Sequence, residues 1–458
     1  MSTVAVILAA GLGKRMKSSL PKVLHPILGD PSLLWVLRAL PGSVDHAVLV
    51  LHHGKPQVEA EIEKWRAEGL LPCPVSTVDQ GEPLGTGHAV RAAEAELDRL
   101  EADRLLILCG DVPLIQASTL QELATGPAAL LAMDLEQPGC YGRVLTHENG
   151  TLANMVEYKD ANETERTIRL VNGGAYALPW AHLKPALRAL SNTNAQGEYY
   201  LTDAVVAVAQ ATPVAVETCN PAELLGMNSR LDQAELQAIA RKRINEAWME
   251  EGVTFLEPAS TLVGPRAVLA PDVLLEPSVR LEGNVVLGPG TRVGQGTVIR
   301  DAEVGAEVLI RPYCVIQKSI VGDKAQIGPF AHLREGSVLE ERVHIGNFVE
   351  TKKATLRVGA KANHLSYLGD TEVGERTNIG AGFISCNYDG VNKHRTTIGK
   401  DVFVGSDVQM VAPITIGDNV LIAAGSTLTK NVPEGALALS RAPQVTKDGL
   451  GKRFLGRK

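Results

Sequence analysis

The sequence predicts an α/β unit followed by a parallel β-helix, the two joined by one long helix. Three observations carry that reading. Up to about residue 228, short apolar runs alternate with amphipathic segments. Residues 230–250 contain neither Gly nor Pro. Beyond them, an aliphatic residue followed by Gly recurs, repeatedly at steps of six, twelve or eighteen.

In the first segment, apolar runs at 4–10, 46–51, 105–109 and 128–133 read as buried strands, and 32–40, 58–68, 87–100 and 204–210 as helices. Such alternation implies a mostly parallel sheet with helices on both faces and ligands at the carboxyl ends of its strands. Through 230–250, Leu236, Ile239, Ala240, Ile244 and Ala247 recur near helical spacing, and Gly252 ends the run. The aliphatic–Gly steps 287→293, 321→327, 373→379 and 398→404 are six, and 327→345 is eighteen. That phase marks a β-helix whose aliphatic residues point inward and whose Gly residues permit tight corners. About nine coils at ~4.8 Å give a prism roughly 45 Å long. The step 379→398 is nineteen, so Asn387-Tyr388-Asp389-Gly390 reads as one extra residue bulging outward. The expected domains are 1–229, a linker helix at 230–252, and 253–458.

Composition narrows the function. The 458 residues are 45% hydrophobic and 21% charged, which excludes a disordered or fibrous chain. The net charge of −7 argues against a nucleic-acid coat protein. The start, Met1 to Gly11, lacks a basic region, its apolar run is short, and no run reaches the ~18 residues of a membrane span. Six scattered cysteines without a Cys-x-x-Cys pair suit a reduced compartment, so the expectation is a cytoplasmic chain. Gly is abundant (44) and aromatics scarce (4%), so the core is built from small aliphatic residues.

Gly11-Leu12-Gly13-Lys14-Arg15-Met16, with Lys22 after it, follows the first strand. Such a turn exposes backbone N–H groups to phosphate, and Arg15 and Lys22 add charge. Met16 replaces the third Gly of a dinucleotide fingerprint, and alone the segment serves equally as a plain turn. A second Gly-rich turn, Gly85-Thr86-Gly87, follows Gln80, and a third apolar run ends in Gly110-Asp111. Asp111 suits Mg²⁺, held by one or two protein oxygens plus substrate phosphate, or equally a turn before Val112-Pro113. In the repeat half, Arg334, Lys352, Asn363-His364, Tyr367 and Asn387-Tyr388 gather within about sixty residues, where a bare solenoid would keep its repeat clean.

Leu8-Ala9-Ala10-Gly11-x-Gly13-x-Arg15-Met16, Pro21-Lys22-Val23-Leu24, Leu84-Gly85-Thr86-Gly87-His88-Ala89 and Gly110-Asp111-Val112-Pro113-Leu114 resemble the sugar-1-phosphate nucleotidyltransferases. Tyr141-Gly142-Arg143, Val156-Glu157-Tyr158-Lys159-Asp160, Gly197-Glu198-Tyr199-Tyr200-Leu201-Thr202-Asp203 and Gly226-Met227-Asn228-Ser229-Arg230 narrow this. With the repeats, residues 4 to about 447 resemble the bifunctional N-acetylglucosamine-1-phosphate uridyltransferase/glucosamine-1-phosphate N-acetyltransferase family. The resemblance implies a Rossmann-like nucleotidyltransferase domain and a left-handed β-helix that assembles as a homotrimer. It implies acetyl transfer from acetyl-CoA to glucosamine 1-phosphate, then uridylyl transfer from UTP with release of pyrophosphate.

By the same resemblance, Asp111 and Asn228 hold Mg²⁺, and Arg15 and Lys22 meet the triphosphate and sugar phosphate. Leu8, Ala9, Ala10, Gly11, Gln80, Gly85 and Thr86 bind the nucleotide, with Gln80 and the Gly85–Thr86 turn reading uracil. Gly142, Glu157 and Asn172 hold the N-acetylglucosamine moiety. His364 matches a general base; a neutral imidazole, ordinarily of pKa about 6.5, takes the proton of a sugar amine attacking a thioester. Arg334, Lys352, Tyr367 and Asn378 match contacts to glucosamine 1-phosphate. Ala381, Asn387, Tyr388, Ser406, Ala424 and Arg441 match contacts to acetyl-CoA. The charge of Lys447 suits its phosphates, and that of Lys452, Arg453, Arg457 and Lys458 does too, although a solvated tail is the favoured reading for these four. The chain departs from the family's usual Tyr at Cys109, Thr at Gly173 and Arg at His332. Two other readings remain at this stage: a uridyltransferase with a non-catalytic β-helix, and a catalytically dead regulatory subunit.

Overall fold

In the computed structural model, which describes residues 2–456, the chain divides into two units, one ending at Ala240 and one beginning at Arg241. Met1 of the opening segment and Arg457 and Lys458 of the tail lie outside the described residues.

The first unit is built on a sheet whose main path runs Ala215–Thr218, Ala129–Asp134, Leu170–Pro179, Arg104–Cys109, Thr3–Leu8, His46–Leu51, Val75–Asp79. Only Leu170–Pro179 runs against its neighbours on this path. Alternate residues of the first strand face different core layers. Ala5 and Ile7 join Leu33, Leu37 and Ile62, whereas Val4 and Val6 join Val90, Leu97 and Leu183. The two layers are the buried faces that a period of two in an α/β strand requires. The chain leaves Thr3–Leu8 for His46–Leu51 on one side and later returns to Arg104–Cys109 on the other. Such a reversal opens a crevice at the carboxyl ends. Leu8 pairs with Cys109, so the loops starting at Ala9 and Gly110 emerge side by side there.

The helix expected at 87–100 is two helices, Thr86–Ala92 and Glu94–Arg99. Val90, Ala93 and Leu97 nevertheless lie within one core layer, as their helical spacing requires. The long helix is Arg230–Glu250. Within the first unit it buries Leu236 and Ala240. Within the second, Ile244 and Trp248 pack on the β-helix core, and buried Asn245 donates to the Pro258 and Thr261 carbonyls at 2.9 and 3.0 Å.

The second unit is a left-handed parallel β-helix of short strands, each paired with the strand one coil away. Val263 lies on Leu281 and Leu275 on Val293, an eighteen-residue step. Inward aliphatic residues form one continuous core. Two sequence expectations need correction. Most of the Gly residues that follow an inward aliphatic residue do not serve a left-handed corner, Gly328 at φ +87° being an exception. A Cβ on Gly294 would lie 2.5 Å from Pro312 N, so Gly is needed where the next coil's backbone approaches. The left-handed corner positions carry both bulky residues, including Tyr313, Phe330 and Phe348 at φ near +60°, and other glycines, including Gly290, Gly296 and Gly336 at φ near +70°. The outward loop is also longer than one extra residue. Val373 pairs with Ile398 and Ile379 with Val404, so this coil takes 25 residues instead of eighteen. Counting from 379 to 398 joined strands on different faces of the prism.

Candidate active sites

At the carboxyl ends of the first sheet, three neighbouring cavities share walls. The largest, about 880 Å³, is lined by Arg15, Asp111, Gly142, Glu157, Asn172 and Asn228 among others. The second, about 330 Å³, is lined by Leu8, Ala9, Ala10, Gly11, Lys22, Gln80, Gly85 and Thr86. Both also touch Cys109 and Asp111, and a third of about 260 Å³ touches Arg15, Lys22 and Asn228. Every nucleotide- and sugar-binding position read from the sequence of this unit therefore lines one connected region.

Local chemistry fixes these side chains. Met16 is buried and pins the Gly-rich loop, leaving Arg15 exposed. The Lys22 ammonium is ion-paired with Asp111 and donates to Asn228 Oδ1 at 3.3 Å. Asn228 is set by its neighbours: Met227 N–H donates to the Asp111 carbonyl at 2.8 Å. Asp232 accepts from the Asn228 and Ser229 N–H groups at 2.8 and 2.9 Å, capping the long helix. Gln80 is buried, and its Nε2 donates to the Gly85 carbonyl at 3.0 Å. Gly85 has φ +115°, and a Cβ there would lie 2.6 Å from the Tyr199 carbonyl, so this turn requires Gly.

On the sugar side, Glu157 faces Gly142, and Thr202 donates to it at 3.2 Å. Burial, reinforced by Asp203, Asp160 and Glu198, pushes the Glu157 carboxyl above its ordinary pKa. Asn172 Oδ1 accepts from Gly174 N–H at 3.0 Å, and its Nδ2 donates to the Tyr176 hydroxyl at 2.7 Å. Burial, with Asp111 adding to it, raises the Cys109 thiol to about 12, so it stays protonated. Glu198, Thr202, Asp232 and Tyr176 carry no role in the reading from sequence. The first two lie within the Gly197–Asp203 motif, which was the available signal.

A metal would be expected beside Asp111. Its carboxylate and the Asn228 amide oxygen already converge on one cation, the Lys22 ammonium, and hard oxygen donors of this kind suit Mg²⁺. Among the described residues no group of three or more His, Cys, Asp and Glu forms a protein-only metal cage.

The second unit distributes its residues differently. Strand pairing places His332, Glu350 and Tyr367 in one column on one face. Arg334 bonds Glu350 at 2.7 Å, Lys352 lies 3.5 Å from Glu335, and Asn387 is buried and donates to Asp370 at 2.6 Å. Burial pushes the His332 imidazole below its ordinary pKa. His364 is exposed at the corner beside this face, in register with Asn347. Backbone bonds Gly382 N to Leu365 O, Asp407 N to Ala381 O and Gly425 N to Ser406 O stack His364, Ala381, Ser406 and Ala424 along that corner. Arg441 donates to the Ala424 carbonyl at 2.9 Å. Asn378 lies on the neighbouring face, in line with Lys361 and Phe403. Tyr388, exposed, closes the outward loop through a bridge to Lys393.

Comparison with known proteins now decides the family. Residues 5–168 match the MobA-like NTP transferase domain, 263–364 the GMPPB C-terminal domain, and 395–430 the bacterial transferase hexapeptide. The "Bifunctional protein GlmU" of Pelobacter propionicus is 44% identical, covering 98% of each chain. Those of Ralstonia pickettii and an Exiguobacterium strain are 46% and 42% identical, covering 97% and 99% of this chain and 97% and 100% of theirs. The chain belongs to the bifunctional GlmU family. It is a bifunctional enzyme that acetylates glucosamine 1-phosphate from acetyl-CoA and then couples the product to UTP, making UDP-N-acetylglucosamine and pyrophosphate. A UDP-glucose pyrophosphorylase structure aligns over 53% of this GlmU-family chain at 20% identity and a TM-score of 0.43, which adds nothing to the assignment.

Proposed function

We propose that uridyl transfer takes place in the connected cavities of the first unit. One observation carries this: the Asp111 and Asn228 oxygens meet a cation where the nucleotide and sugar cavities adjoin. Asp111 and Asn228 hold Mg²⁺, which neutralises phosphate charge when bound. Leu8 to Gly11 offer backbone to the triphosphate, and Arg15 and Lys22 supply cations. With Nε2 engaged by Gly85, Gln80 presents its Oε1 as acceptor for the imide N–H of uracil. Gly142, Glu157 and Asn172 hold the sugar. The sugar phosphate is anionic at neutral pH and is itself the nucleophile, so the site needs alignment and charge neutralisation, not a protein base.

In the second unit, His364 removes the proton of the glucosamine amine as it attacks the thioester. Arg334, Lys352, Tyr367 and Asn378 hold glucosamine 1-phosphate, and Asn387 and Tyr388 contact acetyl-CoA. Ala381, Ser406, Ala424 and Arg441 line the acetyl-CoA path along the corner. We further propose catalytic domains at 1–229 and 253–458 joined by the helix at 230–252, a homotrimer through the β-helix, and a cytoplasmic location. Among the described residues no helix is long and apolar enough to cross a membrane, and the proposed partners are small molecules alone. Incubation with glucosamine 1-phosphate, acetyl-CoA, UTP and Mg²⁺, omitting each in turn, tests the scheme. UDP-N-acetylglucosamine should require all four.

A further inference from the structure

We infer that Tyr176 is a positioning residue for uridyl transfer: its buried hydroxyl sets the amide of Asn172 and through it the hold on the sugar phosphate. The inference rests on the reading of Asn172 as a sugar contact. Tyr176 is only 3% exposed and sits on Leu170–Pro179, paired with Ile107 on one side and Leu130 on the other. It stands behind the cavity wall, whereas Asn172, Gly173 and Gly174 form part of that wall.

A strand would normally place residues 172 and 176 two pleats apart, too far for a short amide to reach a hydroxyl. Here the pairing with Ala129–Asp134 slips between Asn172 and Ala175, and Gly174 adopts φ +72°. The bulge folds Asn172 back. Its carbonyl oxygen takes the Gly174 N–H at 3.0 Å, and its amino group gives one hydrogen to the Tyr176 hydroxyl at 2.7 Å. An amide held at both ends has one orientation. One N–H and one lone pair remain for a ligand, on the same cavity wall as Glu157.

The neighbours keep the bulge in place. A Cβ on Gly174 would lie 3.2 Å from Cys109 Sγ, and the Cys109 thiol donates to the Gly174 carbonyl at 3.6 Å. Gly173 leaves no room for a side chain against Leu224. Removing the Tyr176 hydroxyl leaves this backbone intact and frees only the amino end of Asn172. The consequence is confined to the sugar side, because Asn172 and Tyr176 are absent from the nucleotide cavity wall.

Tyr176→Phe tests this by uridyl transfer, followed as pyrophosphate release. The KM for N-acetylglucosamine 1-phosphate should rise about three- to tenfold, as expected for loss of one neutral hydrogen bond. The kcat and the KM for UTP should stay within about twofold. Asn172→Ala should raise the same KM at least as much, and Tyr176→Phe should add nothing in that background. Several results overturn the inference: an unchanged sugar-phosphate KM in Tyr176→Phe, equal rises in both KM values, a lowered melting temperature with uniformly reduced activity, or an effect undiminished in the double variant. An unchanged KM in Asn172→Ala overturns the sugar-site reading itself.

Discussion

The two units solve the problem of a binding site in opposite ways. In the first, loops leaving neighbouring strand ends enclose the proposed substrate positions, and residues distant in sequence line neighbouring cavities. In the second, the proposed residues occupy one face, one corner and the neighbouring face of a prism, and His364 is exposed. The difference follows from backbone geometry. Crossovers of an α/β sheet create a crevice wherever strand order reverses. A β-helix sends side chains inward to a packed core or outward to a convex surface. Its outward groups form an enclosed site only against a second surface, which is the physical argument for the proposed trimer.

Four variants break or sharpen this contrast, in decreasing order of effect. Asp111→Ala should abolish uridyl transfer, measured as pyrophosphate release, while thiol release from acetyl-CoA remains normal. His364→Ala should do the reverse: acetyl transfer falls about 10²–10⁴-fold, and uridyl transfer to supplied N-acetylglucosamine 1-phosphate is unchanged. Loss of both activities in either variant would mean the units do not act independently. Gly85→Ala places a Cβ against Tyr199 in a strained backbone region, costing about 1–3 kcal/mol. Calorimetry should show the melting temperature lowered by several degrees, with UTP binding weakened.

The smallest effect concerns Glu157. Its folded-state pKa is raised, so its contribution to stability is greatest below the ordinary carboxylate range and is lost as pH rises through the folded value. Glu157→Gln should therefore raise the melting temperature at pH 8. The gain should shrink toward zero near pH 4, and a gain that grew on acidification would contradict the assigned cause.

Much of this was legible in the sequence, and the failures have physical causes. Arg230–Glu250 was readable because no breaker interrupts it, and the β-helix because one residue per six must be small or inward. The reason given for its glycines holds at corners such as Gly290 and Gly296 but not at positions such as Gly294, since sequence shows the period and not the neighbouring coil that imposes it. The 25-residue coil was misread because two faces of a prism carry the same aliphatic–Gly signal. Leu170–Pro179 escaped notice because Gly173-Gly174 looks like a turn, although it is a bulge within a strand. The first-unit residues that line the neighbouring cavities were legible through motif chemistry. Tyr176 was not, because its hydrogen bond to Asn172 depends on a slip in pairing whose mark in the sequence, Gly173-Gly174, reads equally as a turn.

The stacked corner of the β-helix also acts as a ruler. Each coil adds about 4.8 Å along the axis, so the three steps from His364 to Ala424 cover roughly 14 Å whatever the loop lengths between them. The long outward loop between Val373 and Ile398 leaves that spacing untouched. An extended thioester laid along the corner would thus be measured in whole coils, and reach would change only in steps of one coil.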